Sequence, residues 1–214
     1  MLSLFFVNPI LFFISFAILV VSITIHEFAH AWMADHLGDP TPRVQGRLTL
    51  NPLAHLDPIG TLLLIVGGIG WGKPVQFDPY NLKKPVEESA IIALAGPASN
   101  IFFVVLLAIL TRFLPTSVWW GALAQIIISY TVFLNLTLAV FNFVPIHPLD
   151  GSKILLPLLP RQTAYEYEHL MHRYGLVILI LFLVPWGSAG SPISHVVFPI
   201  VNFLSRIVLP HALN

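Results

Sequence analysis

The sequence predicts an all-α polytopic membrane protein, with about five to six membrane segments joined by short re-entrant or β-like loops. Three observations carry this expectation. Of 214 residues, 57% are hydrophobic and only 9% are charged, whereas a soluble domain carries about 25% charged residues. Several apolar runs reach the roughly 20 residues that cross a bilayer as a helix. The stretches between them are short and rich in Gly, Pro, Asn and Asp, which end helices and make turns. No repeat, linker or low-complexity tract is visible, so residues 1–214 read as a single integral-membrane domain.

The elements follow in order. A first helix is expected from Pro9 to Asp35, and Gly38-Asp39-Pro40 stops it. It lacks a basic leader and a small-residue cleavage site, so it reads as a retained segment and not a signal peptide. The next stretch, TPRVQGRLTLNPLAHLD, is polar and turn-rich, and its alternation marks Val44 to Leu50 as a candidate strand. His55 and Asp57 fall in this loop and read as turn residues, with a gating or loop-anchoring role as the alternative. Pro58 to Gly70 is apolar but too short for a simple span, which suggests a re-entrant or steeply packed helix. GWGKPVQFDPYNLKKP is a second turn-rich loop, with Val75 to Tyr80 as another candidate strand.

Glu87 to Phe113 and Gly121 to Val144 are spanning patterns, and Trp119-Trp120 suits an interfacial belt. Pro148-Leu149-Asp150-Gly151 opens a short apolar helix that reaches Pro160. Thr163 to Trp186 begins amphipathic and ends apolar. Its Glu166, Glu168, His169 and His172 read as an interfacial polar face, with a second metal site as the alternative. Ile193 to Leu209 is a last apolar segment, spanning or interfacial.

Charge excludes some functions and orients the chain. Ten basic and ten acidic residues balance, so nothing points to nucleic acid. With no cysteine, disulfides and thiolate ligands are excluded, and a metal would have to use His and carboxylate. Arg43, Arg47, Lys73, Lys83, Lys84, Lys153, Arg161 and Arg173 share one side if the Pro58–Gly70 segment returns to the side it left. The Lys/Arg excess makes that side cytoplasmic.

The chemistry is concentrated at His26-Glu27-Phe28-Ala29-His30. On a helix, residues four apart share a face, so His26 and His30 can hold one metal ion between them. Glu27 projects about 100° round from His26, near enough to act as a base without being a ligand. The bland alternative is a pair of interfacial histidines. Against it, two His and a Glu within about one turn of an apolar helix are expensive to bury without a function. Two His leave a catalytic zinc site short of its usual three protein ligands. Asp150, flanked by apolar sequence on both sides, is the best further candidate. It either caps the helix that follows it, ligates the metal, or does both. Under the orientation above, His26, Glu27, His30 and Asp150 share one depth near the cytoplasmic side.

HEFAH, AGPASN and NFVPIHPLDG occur in this order on expected membrane helices. Together they resemble the site-2 protease family of intramembrane zinc metalloproteases, in its small bacterial and archaeal type without a PDZ domain. The resemblance extends to RLTLNPLAHLDPIGT and GWGKPV, and so covers most of the chain. It implies that His26, His30 and Asp150 ligate Zn2+ and that Glu27 is the catalytic base. Gly96 and Asn100 match the family's middle motif. Asn142 and Pro145 match the Asn-x-x-Pro that precedes its Leu-Asp-Gly. His147 departs from a position where the family often has Pro.

The implied activity is endoproteolysis in or near transmembrane segments of other membrane proteins. The implied location is the cell membrane, with the active site near the cytoplasmic side. Asn100 or Asn142 could donate to the oxyanion or to substrate backbone, or either could instead bond between helices. A helical substrate must unwind before attack, and the candidate strands would offer an edge to hold it. Two rival readings stay open at this stage: a non-catalytic scaffold that keeps the metal, and a metal transporter. The presence of Glu27 speaks against the first, and ligands clustered at one depth speak against the second.

Overall fold

The structure, a computed structural model, describes residues 2–67, 70–115, 117–187 and 190–209. Contacts divide the chain into two compact units, Met1–Glu88 and Ser89–Asn214. Helices make up almost all the regular structure. Among the described residues, three helices are long and apolar enough to cross a membrane. The protein is an all-α membrane protein.

The first unit holds α1 (Leu2–Val7), α2 (Pro9–His36), α3 (Thr41–Val44) and α4 (Pro58–Gly67). Asn8 starts α2: its side chain accepts from the Leu11 N–H at 3.0 Å, and Pro9 occupies the first turn, where a missing N–H costs nothing. Within α2 the hydroxyls of Ser15, Ser22 and Thr24 donate to the carbonyls of Leu11, Ile18 and Val20. That local bonding hides polar groups on a helix whose surroundings cannot solvate them.

Beyond α2 the chain turns on Asp39, which is fully buried. One of its carboxylate oxygens accepts from the Thr41 N–H, the Thr41 hydroxyl and the Asn81 amide, at 3.1, 2.6 and 2.7 Å. The other accepts from the Asp78 N–H at 2.8 Å. Burial pushes this carboxyl up, but the hydrogen bonds from Thr41, Asn81 and Asp78 outweigh it and hold the group below the usual carboxylate range.

The two expected strands do not form. Val44 ends α3, the one-turn helix that Asp39 and Pro42 set up, and the residues after it turn instead of extending. Val75 to Phe77 lies outside regular structure, and Pro79–Asn81 is a single 3-10 turn capped by Asp78. Alternation over four residues is weak evidence for a strand when no partner strand lies alongside. Among the described residues the only β-pairing is an isolated antiparallel bridge between Leu56 and Gly72.

The two loops are nevertheless laced together. The Lys73 N–H donates to the His55 carbonyl at 2.7 Å. Buried Arg47 donates to the carbonyls of Ala54 and Lys73. His55, also buried, bonds through Nε2 to the Thr49 carbonyl at 2.8 Å and so anchors the loop. Asp57 accepts from the Gly60 N–H at 2.7 Å and so caps α4.

Helix α5 (Pro85–Thr111) runs into the second unit, followed by α6 (Trp119–Asn142), α7 (Asp150–Leu155), α8 (Arg161–Leu183) and α9 (Pro192–Val208). Val104 of α5, Val132 and Leu136 of α6, and Val197 and Val201 of α9 form its main apolar core. Ile146, Leu149 and Leu179 form a smaller cluster that ties the α6–α7 loop to α8. Pro97 lies inside α5, where it removes one helix hydrogen bond. The neighbouring Ser99 hydroxyl donates to the Gly96 carbonyl at 2.6 Å, which satisfies that hydroxyl within its own helix.

Candidate metal centre

His26 and His30 lie on α2 one turn apart, and both are buried. Their Nε2 atoms are 3.1 Å apart, with the rings nearly perpendicular at 86°. Two imidazole nitrogens bound at about 2.0–2.1 Å to a tetrahedral zinc stand about 3.3–3.4 Å apart. The pair therefore fits a zinc ion with a shift of a few tenths of an ångström, on the order of a small ring rotation. Both nitrogens point the same way because i and i+4 share a helix face.

Glu27 is half-buried beside this pair, and its Oε2 accepts from the Val75 N–H at 3.1 Å. The loop that carries Val75 comes this close because residue 72 is glycine. A Cβ there would lie 2.8 Å from the Ile23 side chain, 3.1 Å from the His55 carbonyl oxygen and 3.6 Å from Glu27 Oε1. The GWGKPV segment is thus backbone laid against the carboxylate, with no side chain between them at position 72. Sequence reasoning noted this loop without assigning it that contact. Glycine at a close approach was the available signal.

In the second unit, Asp150 is half-buried and is the first residue of α7. Leu149, not Asp150, holds the N-cap position, and no side-chain capping bond is made there. Gly151 follows, and a Cβ on it would come within 2.3 Å of the Phe143 carbonyl oxygen, so the turn out of α6 folds tightly only with glycine.

The two asparagines have identified partners. Asn100 of α5 is fully buried and donates through Nδ2 to Oδ1 of Asn135 on α6 at 3.0 Å. Asn135, also fully buried, donates in turn to the Thr131 carbonyl at 2.9 Å. Asn142 donates to the Leu138 carbonyl at 2.9 Å. The partner Asn135 was not singled out in the sequence, where an Asn amid apolar residues was the only signal. His147 is half-buried with its ring 5.2 Å from that of His172. Burial, then the nearby charges of His172 and Lys153, hold its imidazole below the ordinary histidine range.

A histidine pair spaced to grip one metal, with a carboxylate one residue along, is the pattern expected of a metallohydrolase centre, here on a helix long and apolar enough to cross a membrane. Comparison with known proteins makes the class specific. Residues 115–182 match peptidase family M50. Two relatives are known as "Putative zinc metalloprotease". One is YwhC of Bacillus subtilis, 37% identical over 86% of this chain and 84% of its own. The other is Rip2 of Mycolicibacterium smegmatis, 33% identical over 78% of this chain and 65% of its own. Zinc metalloprotease MJ0392 of Methanocaldococcus jannaschii is 28% identical over 74% of this chain and 38% of its own. No solved structure matches. The chain belongs to peptidase family M50, the site-2 protease family, and is a zinc metalloprotease.

Proposed function

We propose that this protein is a zinc-dependent intramembrane endopeptidase, cutting peptide bonds in or near transmembrane segments of other membrane proteins. The observation that carries the reading is the buried His26–His30 pair, nitrogens 3.1 Å apart, with Glu27 beside it on a helix apolar enough to span a bilayer. His26, His30 and Asp150 would be the three protein ligands, two imidazoles and one carboxylate, a donor set suited to one zinc ion. Leu149, and not Asp150, takes the N-cap position, which supports the ligand role for Asp150. Zinc, when bound, polarises a carbonyl and makes water a usable nucleophile near neutral pH.

Glu27 then takes the proton from the attacking water and returns it to the leaving nitrogen. The Val75 N–H restrains that carboxylate to one orientation while Oε1 faces the glycine at position 72. Asn142 spends one N–H on Leu138 and retains a second for substrate or oxyanion. Asn100 would serve there only through what its bond to Asn135 leaves over.

In this reading residues 1–214 act as one metalloprotease domain of about five to six membrane segments, with α4, α8 and α9 supplementing the three long apolar helices. It lies in the cell membrane with its active site near the cytoplasmic side, where the Lys and Arg residues gather. The test is to incubate purified protein and its Glu27→Gln variant with a panel of single-span membrane proteins and to measure zinc per chain. Cleavage by the unsubstituted protein alone, with zinc in both, supports the proposal. Equal cleavage by both, or zinc absent from both, sinks it. A metal transporter or a scaffold would keep its activity in the variant.

A further inference from the structure

We propose that one side of α8 is a brace that positions Asp150, with Tyr167 and Gly175 as its positioning residues. The inference rests on the reading of Asp150 as a metal ligand. The loop that delivers Asp150, Phe143 to Leu149, is bonded at short range: Phe143 and Val144 donate back to Ala139 and Phe141 at the end of α6, and Leu149 accepts from Ser152. Pro145 and Pro148 carry no N–H, and its internal bonds are short-range, Ile146 to Val144 and Leu149 to Ile146, each 2.8 Å. A metal-ligating carboxylate has to be held to within about half an ångström. Short-range bonds fix the loop's local shape, and contacts from another element set its place in the unit.

Helix α8 supplies contacts to this stretch over three turns. The Tyr167 hydroxyl donates to the Pro145 carbonyl at 3.0 Å. That bond uses the acceptor of a residue that has no donor to offer. His172 places its ring against that of His147. Gly175 is buried against the His147 backbone, and a Cβ there would lie 2.8 Å from both the His147 Cβ and its carbonyl oxygen. Leu179 is buried in one cluster with Ile146 and Leu149.

Tyr167, Gly175 and Leu179 recur at the spacing of one helix side, and so do Ala164, Met171, Ile178 and Phe182, which are also covered. Tyr165, Glu166, Glu168 and His169 on the remaining side are exposed. The contacts fall on residues 145, 146, 147 and 149, the stretch immediately before Asp150. The amphipathic pattern at the start of α8 is therefore not only an interfacial face: its covered side is shaped to the ligand-bearing loop.

The test compares Tyr167→Phe, Gly175→Ala, the exposed-side control Tyr165→Phe and the ligand variant Asp150→Ala, each purified as the full chain in detergent. Zinc affinity is read by competition with a chromogenic chelator. The visible absorption of the cobalt(II) form reports ligand geometry, and melting of the metal-free protein reports general loosening. Tyr167→Phe is expected to weaken zinc binding about tenfold, at the low end for groups that orient a ligand. It should also alter the cobalt spectrum and leave metal-free melting unchanged, while Tyr165→Phe behaves as the unsubstituted protein. Gly175→Ala should weaken binding and alter the cobalt spectrum more strongly, with some loss of metal-free stability from its contact with the His147 backbone, and if it fails to fold, Tyr167→Phe decides alone. Unaltered zinc affinity in Tyr167→Phe, with zinc lost from Asp150→Ala, overturns the brace and leaves the ligand reading intact. Weaker binding with an unchanged cobalt spectrum and lower melting also overturns it. Zinc held normally by Asp150→Ala would remove the reading on which the brace depends.

Discussion

The backbone N–H of Val75 donates to the carboxylate of Glu27 across 3.1 Å, joining residues 48 apart in sequence. A backbone donor is a rigid choice of partner. It cannot rotate away as a side chain can, and its position follows from the loop that carries it. That loop is fixed in turn by Lys73 bonding to His55, by Arg47 bonding to Lys73, and by Asp78 and Asn81 bonding to Asp39. The setting of the Glu27 carboxylate thus depends on the first unit's loops as much as on its own helix.

Substitutions at the loop should separate chemistry from metal binding. Gly72→Ala drives a methyl to within 2.8 Å of the Ile23 side chain and must shift that side chain, the loop or α2. Val75→Pro deletes the donor to Glu27 outright. Each is expected to lower kcat by roughly tenfold to a hundredfold, as for loss of a group that orients a catalytic side chain. Zinc content should stay near that of the unsubstituted protein. Turnover and metal analysis on the same preparation check this, and loss of zinc alongside activity would refute it.

The motif residues should divide cleanly. His30→Ala removes one of two nitrogens that lie 3.1 Å apart and should abolish stable zinc retention and activity together. Glu27→Gln should keep zinc and lose about 10²- to 10⁴-fold in rate, the range for a general base. Metal content after dialysis, set beside cleavage rates, makes the comparison.

Asp39 gives a pH dependence of stability. Its folded carboxyl lies below the unfolded value, so the stabilisation is present above the unfolded pKa of about 3.9 and is lost as pH falls through the folded one. Asp39→Asn should cost about 2–3 kcal/mol near neutral pH, where a charged acceptor of several donors is replaced by a neutral amide. The gap between the two proteins should close in acid. Thermal unfolding in detergent from neutral to acid pH measures it, and a gap that does not narrow contradicts the assignment.

The Asn100–Asn135 pair invites a double-substitution cycle. Each side chain is fully buried, so Asn100→Leu alone leaves Asn135 without that partner. Interhelical polar pairs in membranes are worth about 0.6 kcal/mol on average and up to about 1.7 kcal/mol. The coupling energy between the two substitutions is expected in that range. Near-zero coupling would show that the bond contributes nothing net.

Much of this was legible in the chain. The helix expected from Pro9 to Asp35 is observed as Pro9–His36, and that from Glu87 to Phe113 as Pro85–Thr111. Long apolar runs bounded by proline and glycine leave few alternatives. The pairing of His26 with His30 was equally legible, because four-residue spacing on a helix is close to covalent geometry. The short elements α1 and α3 were missed, and the two candidate strands were misread. There the competing local signals, Asp39 turning the chain at Thr41 and Pro42 and alternation beyond it, are close in weight. Only the tertiary contacts choose between them.

The sequence by itself determined the membrane class, the long helices and the facing histidines, since each depends on composition or on spacing within one element. Tertiary structure alone decided that Val75 meets Glu27, that Asn135 is the partner of Asn100, and that Tyr167 and Gly175 press on the loop before Asp150. Those contacts join segments far apart in the chain. Their distances are set by how all the intervening loops and helices pack, which no local pattern encodes.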